Sequence, residues 1–589
     1  MCGITGIISS HPIPQQKIQA MLDTLAHRGP DGEGTCMLEG DSIALGHKRL
    51  SFLDLSENGK QPMASTDRKV WITFNGEIYN FLELKSELKS DYHFQSNTDT
   101  EVLIAAYQKW GIDMVKRLKG MFAFALVDLD LQQTFLVRDR FGIKPLYYSF
   151  QESGLYFGSE LKAILASGDY KKEIDFSAFA DFFVYRYIPS PKTIWKGINK
   201  LAAAHYLVFD HESQSMKQIE YWKLTAETQQ YPQTEIVEKV KGLLSGSIQS
   251  HVRSDVPIGS FLSGGYDSSA LVYYMTQEGL KPETFSIGFV GWGKSEDQYA
   301  QIVAKHLDVP NTSVSADANS LKLMEKMPMV YDEPIADISI IPTYMVSQLA
   351  RKQVKAVLSG EGADELFGGY TWQHDFFERQ YPTSWNGKLK KWLQPINTVD
   401  FYAEAMAMGW FDREELKKML QPHLHQHIPE DVHWFYRKHF EPNLSPLKSI
   451  QYLDMKCFMG ELVLTKIDRA SMANSLEVRV PFLDHELFEY LFSLAETSYI
   501  DRQQTKKILF ENIKNVLPSS ILDRKKQGFV GPDEYYMNSD WYRNVLSDSK
   551  LGALNIVRQE YIDELLQESY NWKLWKIVVM EFWVREWLD

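Results

Sequence analysis

Cysteine is scarce in this sequence: three in 589 residues, Cys2, Cys36 and Cys457. So sparse and odd a set is no secreted disulfide framework, and it points to a compartment that keeps thiols reduced, the cytosol. Long apolar runs are missing as well. No stretch reaches the roughly 18 apolar residues that a membrane span needs. The opening residues, Met-Cys-Gly-Ile-Thr-Gly-Ile-Ile, are apolar but lack the basic start and long apolar core of a signal peptide. Positive charge is in deficit, since 63 Lys and Arg face 77 Asp and Glu, a net charge of −14. A chain this acidic makes a poor general binder of nucleic acid, because phosphates are drawn to a basic face. No internal repeat and no low-complexity tract interrupts it. What remains is ordinary globular composition, 44% hydrophobic and 24% charged, in a chain too long for one core. Two domains or more are expected.

The pattern along the chain changes once clearly. Up to residue 210, short apolar runs alternate with turn signals. Strands are expected at Val70–Phe74, Phe122–Val127, Thr134–Val137 and Leu155–Phe157, with turns at Asn75-Gly76, 128–132 and 152–154. Helices are expected at Phe81–Ser90 and Thr100–Trp110. This reads as a mostly antiparallel β domain. From residue 235 helical and strand periods alternate. A helix at Glu235–Val252 is followed by a strand at Pro257–Leu262, a glycine-rich turn and a helix at Ser268–Gln277. Further strands are expected at Thr284–Phe289 and Val354–Leu358, which implies a parallel α/β sheet. The last 150 or so residues read as helical and aromatic-rich. The stretch 211–234 is polar and weakly periodic, so the domains are placed at 1–210 and 235–589 with a linker between.

Cys2 directly follows Met1. Once Met1 is removed, Cys2 carries a thiol and a free α-amine. An α-amine with a pKa of roughly 7.7–8 can serve as base for its own side chain. On its own, a cysteine at position 2 is more readily a chance second residue. Four further motifs change the balance: His27-Arg28-Gly29-Pro30-Asp31-Gly32, Gly46-His47-Lys48-Arg49-Leu50-Ser51, Phe74-Asn75-Gly76-Glu77-Ile78-Tyr79-Asn80 and Asn97-Thr98-Asp99. In this order they resemble the class II glutamine amidotransferases, whose glutaminase is an N-terminal-nucleophile αββα sandwich of antiparallel sheets. The resemblance covers most of residues 1–200. It implies that Cys2 attacks the glutamine amide to form a thioester. It implies that the Asn75 side chain and the Gly76 N–H stabilise the oxyanion. Arg49 would hold the glutamine carboxylate and Asp99 its ammonium. Leu50, Ser51, Phe52, Leu53 and Glu77 would line the same pocket.

A second constellation follows the strand near 260. Leu262-Ser263-Gly264-Gly265-Tyr266-Asp267-Ser268-Ser269 opens a helix with N–H and O–H donors, a setting for an anion. It resembles the pyrophosphate loop of enzymes that split ATP between its α- and β-phosphates. The run 359–370 then places Glu361, Asp364 and Glu365 in a glycine-rich loop, where they repel unless a cation or donors join them. Asp468-Arg469, 479–484 and Lys506-Lys507 lie further on. With these pieces the whole chain resembles the glutamine-hydrolysing asparagine synthetases. The resemblance implies an ATP site lined by Leu262, Ser263, Gly264, Gly265, Asp267, Ser268, Ser269, Ile287, Ser359 and Gly360. Mg²⁺ would sit on Asp267 and Asp364. Glu361 would act as base for incoming ammonia and Lys506 would steady the reacting phosphate, with Lys507 as its neighbouring competitor. Two sites imply a sealed ammonia path, because water protonates ammonia and competes for an adenylate. The resemblance also makes a homodimer the expected assembly.

Three features compete with this reading. Residues 288–295 match the Walker A pattern and follow a strand, which would make the chain a P-loop NTPase. His423, His425, His427 and His433 cluster without a cysteine or a familiar zinc spacing, which favours a solvated loop. Trp572, Trp575, Trp583 and Trp587 recur at helical spacing, which favours core or subunit contact. The expected substrates are glutamine, ATP and aspartate. The run 332–344, where the resemblance places the acceptor pocket, has no arginine for a second carboxylate. A sugar acid or a peptidoglycan precursor therefore stands as the alternative acceptor.

Overall fold

The computed structural model of the chain describes residues 2–225, 227–292, 295–393, 396–500, 502, 504–524, 531, 536, 539–568 and 571–588. The first domain is built on two antiparallel sheets. One joins β1 (Gly3–Ile8), β2 (Gly32–Leu38), β3 (Ile43–Arg49), β8 (Tyr147–Gln151), β9 (Gly154–Gly158) and β10 (Ile198–Lys200) in the order β10-β8-β9-β1-β3-β2. The other joins β4 (Met63–Ala64), β5 (Val70–Ile78), β6 (Gly120–Asp128), β7 (Gln133–Arg138), β11 (His205–Asp210) and β12 (Ser215–Glu220) in the order β12-β11-β7-β6-β5-β4. Ile4, Ile8 and Leu45 of the first sheet meet Ala125, Val127 and Leu136 of the second in one apolar layer. Helices 81–88 and 99–110 cover the free face of the second sheet. Helices 15–23 and 176–185 cover the free face of the first. The result is the four-layer αββα sandwich of the N-terminal-nucleophile fold.

Asn75-Gly76, expected as a turn, lies inside β5. Asn75 pairs with Ala123 and Gly76 with Phe122 across β6. Continuous strand pairing overrides a two-residue turn preference. A Cβ at Gly76 would lie 2.1 Å from the Met121 carbonyl oxygen, so glycine stands where the strands approach most closely. The polar 211–234 stretch contains β12, which hairpins onto β11. Its side chains are mostly exposed, so it carries no alternating apolar signal.

The second domain holds a parallel sheet of β13 (Ile258–Phe261), β14 (Thr284–Phe289), β15 (Asn311–Ala316), β16 (Ala356–Leu358) and β17 (Glu477–Arg479), in the order β15-β14-β13-β16-β17. The order reverses at β13, which has β14 on one side and β16 on the other. In open parallel sheets the crevice beyond the strand ends at such a reversal is where ligands bind. The loops that leave β13 and β16 are the 262–269 and 359–370 segments.

The domains are pressed together over the 27–31 loop and the segment after β3. Ser475 Oγ donates to the His27 carbonyl at 2.6 Å, and Lys355 pairs with Asp31 at 2.7 Å. Leu50 and Phe52 pack on Ala356 and Met472 of the second domain. Of the tryptophans of the closing helix, Trp572–Trp587, Trp575 and Trp583 are buried in the core, while Trp572 and Trp587 are half-buried against it. The Trp583 ring is 5.3 Å from Trp195, and its Nε1 donates to the Asp332 carbonyl at 2.7 Å. Trp583→Ala is expected to cost about 3–5 kcal/mol, the range for emptying a buried aromatic site. Calorimetry of the intact chain should show a lowered unfolding midpoint; an unchanged midpoint would contradict this packing.

Candidate active site

The first site lies where β1, β3 and β5 meet the second domain. Cys2 is buried, and its Sγ lies 3.9 Å from the Leu50 carbonyl oxygen. Its backbone nitrogen donates to Asn75 Oδ1 at 2.9 Å. Asn75 Nδ2 is then left buried with no hydrogen-bond partner among the described residues. A preorganised donor beside the Cys2 thiol is of the kind that a developing oxyanion requires. Burial pushes the Cys2 thiol up, so forming the thiolate calls for a base close by. Met1 lies outside the described residues.

Arg49 closes β3 and donates to the Ser56 carbonyl at 3.0 Å and to that of Asp54 at 2.6 Å. Asp54 Oδ2 accepts from the Asn97 backbone at 2.9 Å, which ties this loop to the one preceding Asp99. Asp99 opens the 99–110 helix, and its Oδ2 accepts from the Ile78 backbone at 2.9 Å. Burial raises its carboxyl to about 6. Glu77 is buried and meets Arg479 of the second domain at 3.3 Å. Ser51 donates its N–H to Asp31 at 2.9 Å, and Phe52 lies under the Arg479 guanidinium. Leu53 offers its carbonyl to Arg49 at 3.3 Å.

The second site opens beyond β13 and β16. Gly264 adopts φ +75°, and a Cβ there would lie 2.6 Å from Tyr299, so only glycine makes this turn. Ser263 and Ser268 bond to each other at 3.1 Å, whereas the Ser269 hydroxyl is buried with no hydrogen-bond partner among the described residues. Leu262 and Ile287 form the apolar floor. Asp267 from the first loop and Asp364 from the second converge on Lys506, which meets Asp364 at 2.8 Å and Asp267 more closely still. Burial works against the Lys506 charge, but Asp267 and Asp364 raise its amine to about 12. Lys507, one residue on, opens the 507–513 helix. Two converging carboxylates suit Mg²⁺, which is ordinarily held by one or two carboxylates plus substrate phosphates. No larger group of His, Cys, Asp or Glu able to hold a metal is found among the described residues. His425 of the histidine cluster donates through Nε2 to the Leu420 carbonyl at 3.2 Å. Gly293 and Lys294 of the Walker A match lie outside the described residues. Its Ser295 donates to Asp297 at 2.6 Å and accepts from the Phe289 backbone at 2.8 Å.

Glu361, beside Ser359 and Gly360, has its Oε2 buried without a hydrogen-bond partner among the described residues, and burial pushes its carboxyl up. Lys466 stands near it and donates to Ser339 Oγ at 2.7 Å. Burial would raise Asp337, but Lys466 and then Arg186 hold it below the ordinary carboxylate range. Arg186 ends the 176–185 helix in the left-handed region, φ 73°, with its Nε buried and unbonded.

Family comparison now applies to both halves. A glutamine amidotransferase domain model matches residues 1–222, and an asparagine synthase model matches residues 239–586. The chain belongs to the asparagine synthase family. Glutamine-hydrolysing asparagine synthetase 1 of Bacillus subtilis (strain 168) is 32% identical over 99% of this chain and 96% of its own. Asparagine synthetase 3 of the same organism is 32% identical over 96% of this chain and 93% of its own. The amidase chry2 of Gibberella zeae is 27% identical over 97% and 95%. This asparagine synthase family member is a glutamine-hydrolysing, ATP-dependent ligase.

Several contacts around the ligase's two sites are not marked in the sequence. Arg28 and Asp468 are 440 residues apart and bond at 2.9 Å. Arg524 reaches the 262–269 loop, its Nη1 3.5 Å from the Ser263 carbonyl, and pairs with Glu296 at 2.9 Å. Arg186 and Lys466 supply the cations that the 332–344 run lacks. Arg28 stood in His27-Arg28-Gly29-Pro30-Asp31 and Asp468 in Asp468-Arg469, but neither string marked the other as its partner. A Cβ at Gly369 would lie 2.0 Å from Asp364 Oδ1 and 2.2 Å from Lys506 Cε. Both are ends of flexible side chains, so Gly369→Ala should displace them without unfolding the domain. ATP-dependent AMP release should fall on the order of 100-fold, as for a misplacement of about 1 Å, with glutaminase turnover kept. Equal loss of both activities would contradict this.

Proposed function

We propose that this ligase is a glutamine-dependent asparagine synthetase with aspartate as its acceptor. The observation that carries the acceptor is the pocket of both charge signs next to the phosphate site. Asp337 and Glu361 face Lys466 and Arg186 around the 337–339 segment. A pocket with both signs suits a zwitterion that also bears a second carboxylate. A second reading has its own support. Tyr370 and Trp372 stack at 4.0 Å with Phe458 edge-on, a ledge that would suit the ring of a sugar acid.

In this reading Cys2, freed of Met1, uses its own amine as base and attacks the glutamine amide carbon. Asn75 Nδ2 and the Gly76 N–H receive the oxyanion. Arg49 and Asp99 hold the two ends of the amino acid, with Leu50, Ser51, Phe52, Leu53 and Glu77 around them. Ammonia leaves, and water releases glutamate from the thioester. In the second site Leu262, Ile287, Ser359 and Gly360 flank the nucleotide, and the 263–269 donors take the phosphates. Asp267 and Asp364 would hold Mg²⁺, which neutralises phosphate charge when bound. The acceptor carboxylate displaces pyrophosphate at the α-phosphorus while Lys506 steadies the charge. Ammonia then attacks the acyl carbon, Glu361 takes its proton, and AMP departs.

Purified protein should therefore turn ATP, glutamine and aspartate into equal amounts of AMP, pyrophosphate and asparagine. AMP formation that depends on a sugar acid and not on aspartate would reject the acceptor and keep the chemistry. Cys2→Ala should abolish glutamine-dependent synthesis and leave ammonium-dependent synthesis within about twofold; retained glutamine dependence would refute the nucleophile. Asp99 adds a pH test. Its folded pKa of about 6 is raised, so the empty site is most stable with Asp99 protonated, and that stability is lost as pH rises through about 6. Only the ionised form pairs with an ammonium. The glutamine KM should accordingly climb as pH falls below about 6, approaching tenfold per unit. A KM flat from pH 7 to 5 would remove Asp99 from the pocket.

A further inference from the structure

The helix Leu464–Met472 is shared by the two sites. Lys466 points to the 337–339 pocket, where it donates to Ser339 Oγ at 2.7 Å. Asp468 is two residues on, about 200° round the helix, and faces the first domain. It accepts two hydrogen bonds from Arg28, at 2.9 and 3.1 Å. Arg28 in turn donates through Nε to the carbonyl of Cys2 at 3.1 Å. From Ser339 to the backbone of the nucleophile, no link in this chain of bonds exceeds 3.1 Å. Lys466, Asp468 and Arg28 are all buried, so water does not dilute these contacts.

The helix also has an unusual approach. Residues Asp454–Val463, directly before it, form a π-helix of 10 residues. π-helical turns are rare and are found frequently at functional sites. The helix that carries Lys466 and Asp468 therefore follows directly on a segment wound differently from it.

We propose that Asp468 is a positioning residue that sets Cys2 through Arg28 according to how Lys466 is engaged in the acceptor pocket. The proposal rests on reading the 337–339 pocket as the acceptor site, and it gives that pocket a second role, control of the glutaminase. When an acceptor carboxylate draws Lys466 from Ser339, the helix turns, and the Arg28 fork carries the shift to the Cys2 carbonyl. Ammonia is then released fastest when a carboxylate is present to receive it.

The test is a double-mutant cycle read on glutamine hydrolysis alone, with no ATP and no acceptor. Asp468→Asn keeps the shape and removes the charge, so Arg28 loses its bidentate partner. Its glutaminase kcat should fall on the order of 10-fold or more, with the glutamine KM unchanged because neither residue touches glutamine. Lys466→Met, on the far side of the helix, should change the same kcat at least threefold. In the Asp468→Asn background Lys466→Met should add nothing. Asp468→Glu should recover part of the rate. Ammonium-dependent AMP formation by Asp468→Asn, with Lys466 intact, serves as the folding control and should stay within twofold of the unaltered chain. Additive effects, or an Asp468→Asn glutaminase with unaltered kcat, would overturn the proposal. The acceptor assignment fails separately: no aspartate-dependent AMP from the unaltered chain would reject aspartate and leave the cycle readable.

Discussion

A buried charge must find its partner, and in this protein the partners lie across the domain boundary. Arg28, Glu160 and Lys162 come from the first domain, and Asp332, Asp468 and Arg469 from the second, and all six are buried. Arg28 meets Glu160 at 2.8 Å and Asp468 at 2.9 Å. Arg469 approaches Glu160 to 2.9 Å, and Lys162 approaches Asp332 to 3.0 Å. Burial would raise the Glu160 carboxyl, yet Arg469, Lys162 and His27 hold it well below the usual range. Three cations and three anions cancel. Removing one member strands its partner in a dry interior, at several kcal/mol. The domains are therefore fixed in one relative placement, and the site around Cys2 is built on that placement.

The consequence for chemistry is that the glutaminase is not an independent module. Its His27–Asp31 loop is held by Ser475, Asp468 and Lys355, all from the second domain. Glu77, in the strand that carries Asn75, pairs with Arg479. Tyr79, Met121, Phe141 and Ile143 of the first domain join the apolar core of the second. Ammonia passing between the two sites would need a path closed to water, since water would protonate it and attack an adenylate.

The sequence made the local chemistry plain. A phosphate loop is a short string of donors after a strand, and Leu262–Ser269 appears where the strand of residues 258–261 ends. Strands 284–289 and 356–358 and the helix from 266 were legible for the same reason, since their periods are local. Asn75-Gly76 was misread as a turn because pairing with 120–128 is a non-local force. The strand 215–220 escaped notice because its outward polar side chains erase the period. The Arg28–Asp468 pairing was not legible although each residue stood in a motif, and Arg186 and Arg524 stood in none, because nothing in a linear string marks two residues that meet hundreds of positions apart. The Trp572–Trp587 pattern did announce burial, and Trp583 supplies it against Trp195.

The claim on which the whole account depends is that both half-reactions share one closed interior. Glutamine labelled with ¹⁵N at its amide, supplied together with excess unlabelled ammonium, tests it directly. The product amide should retain nearly all of the ¹⁵N, whatever the ammonium concentration outside. Dilution of the label in proportion to external ammonium would show that ammonia leaves into solvent, and the two sites would then be neighbours only.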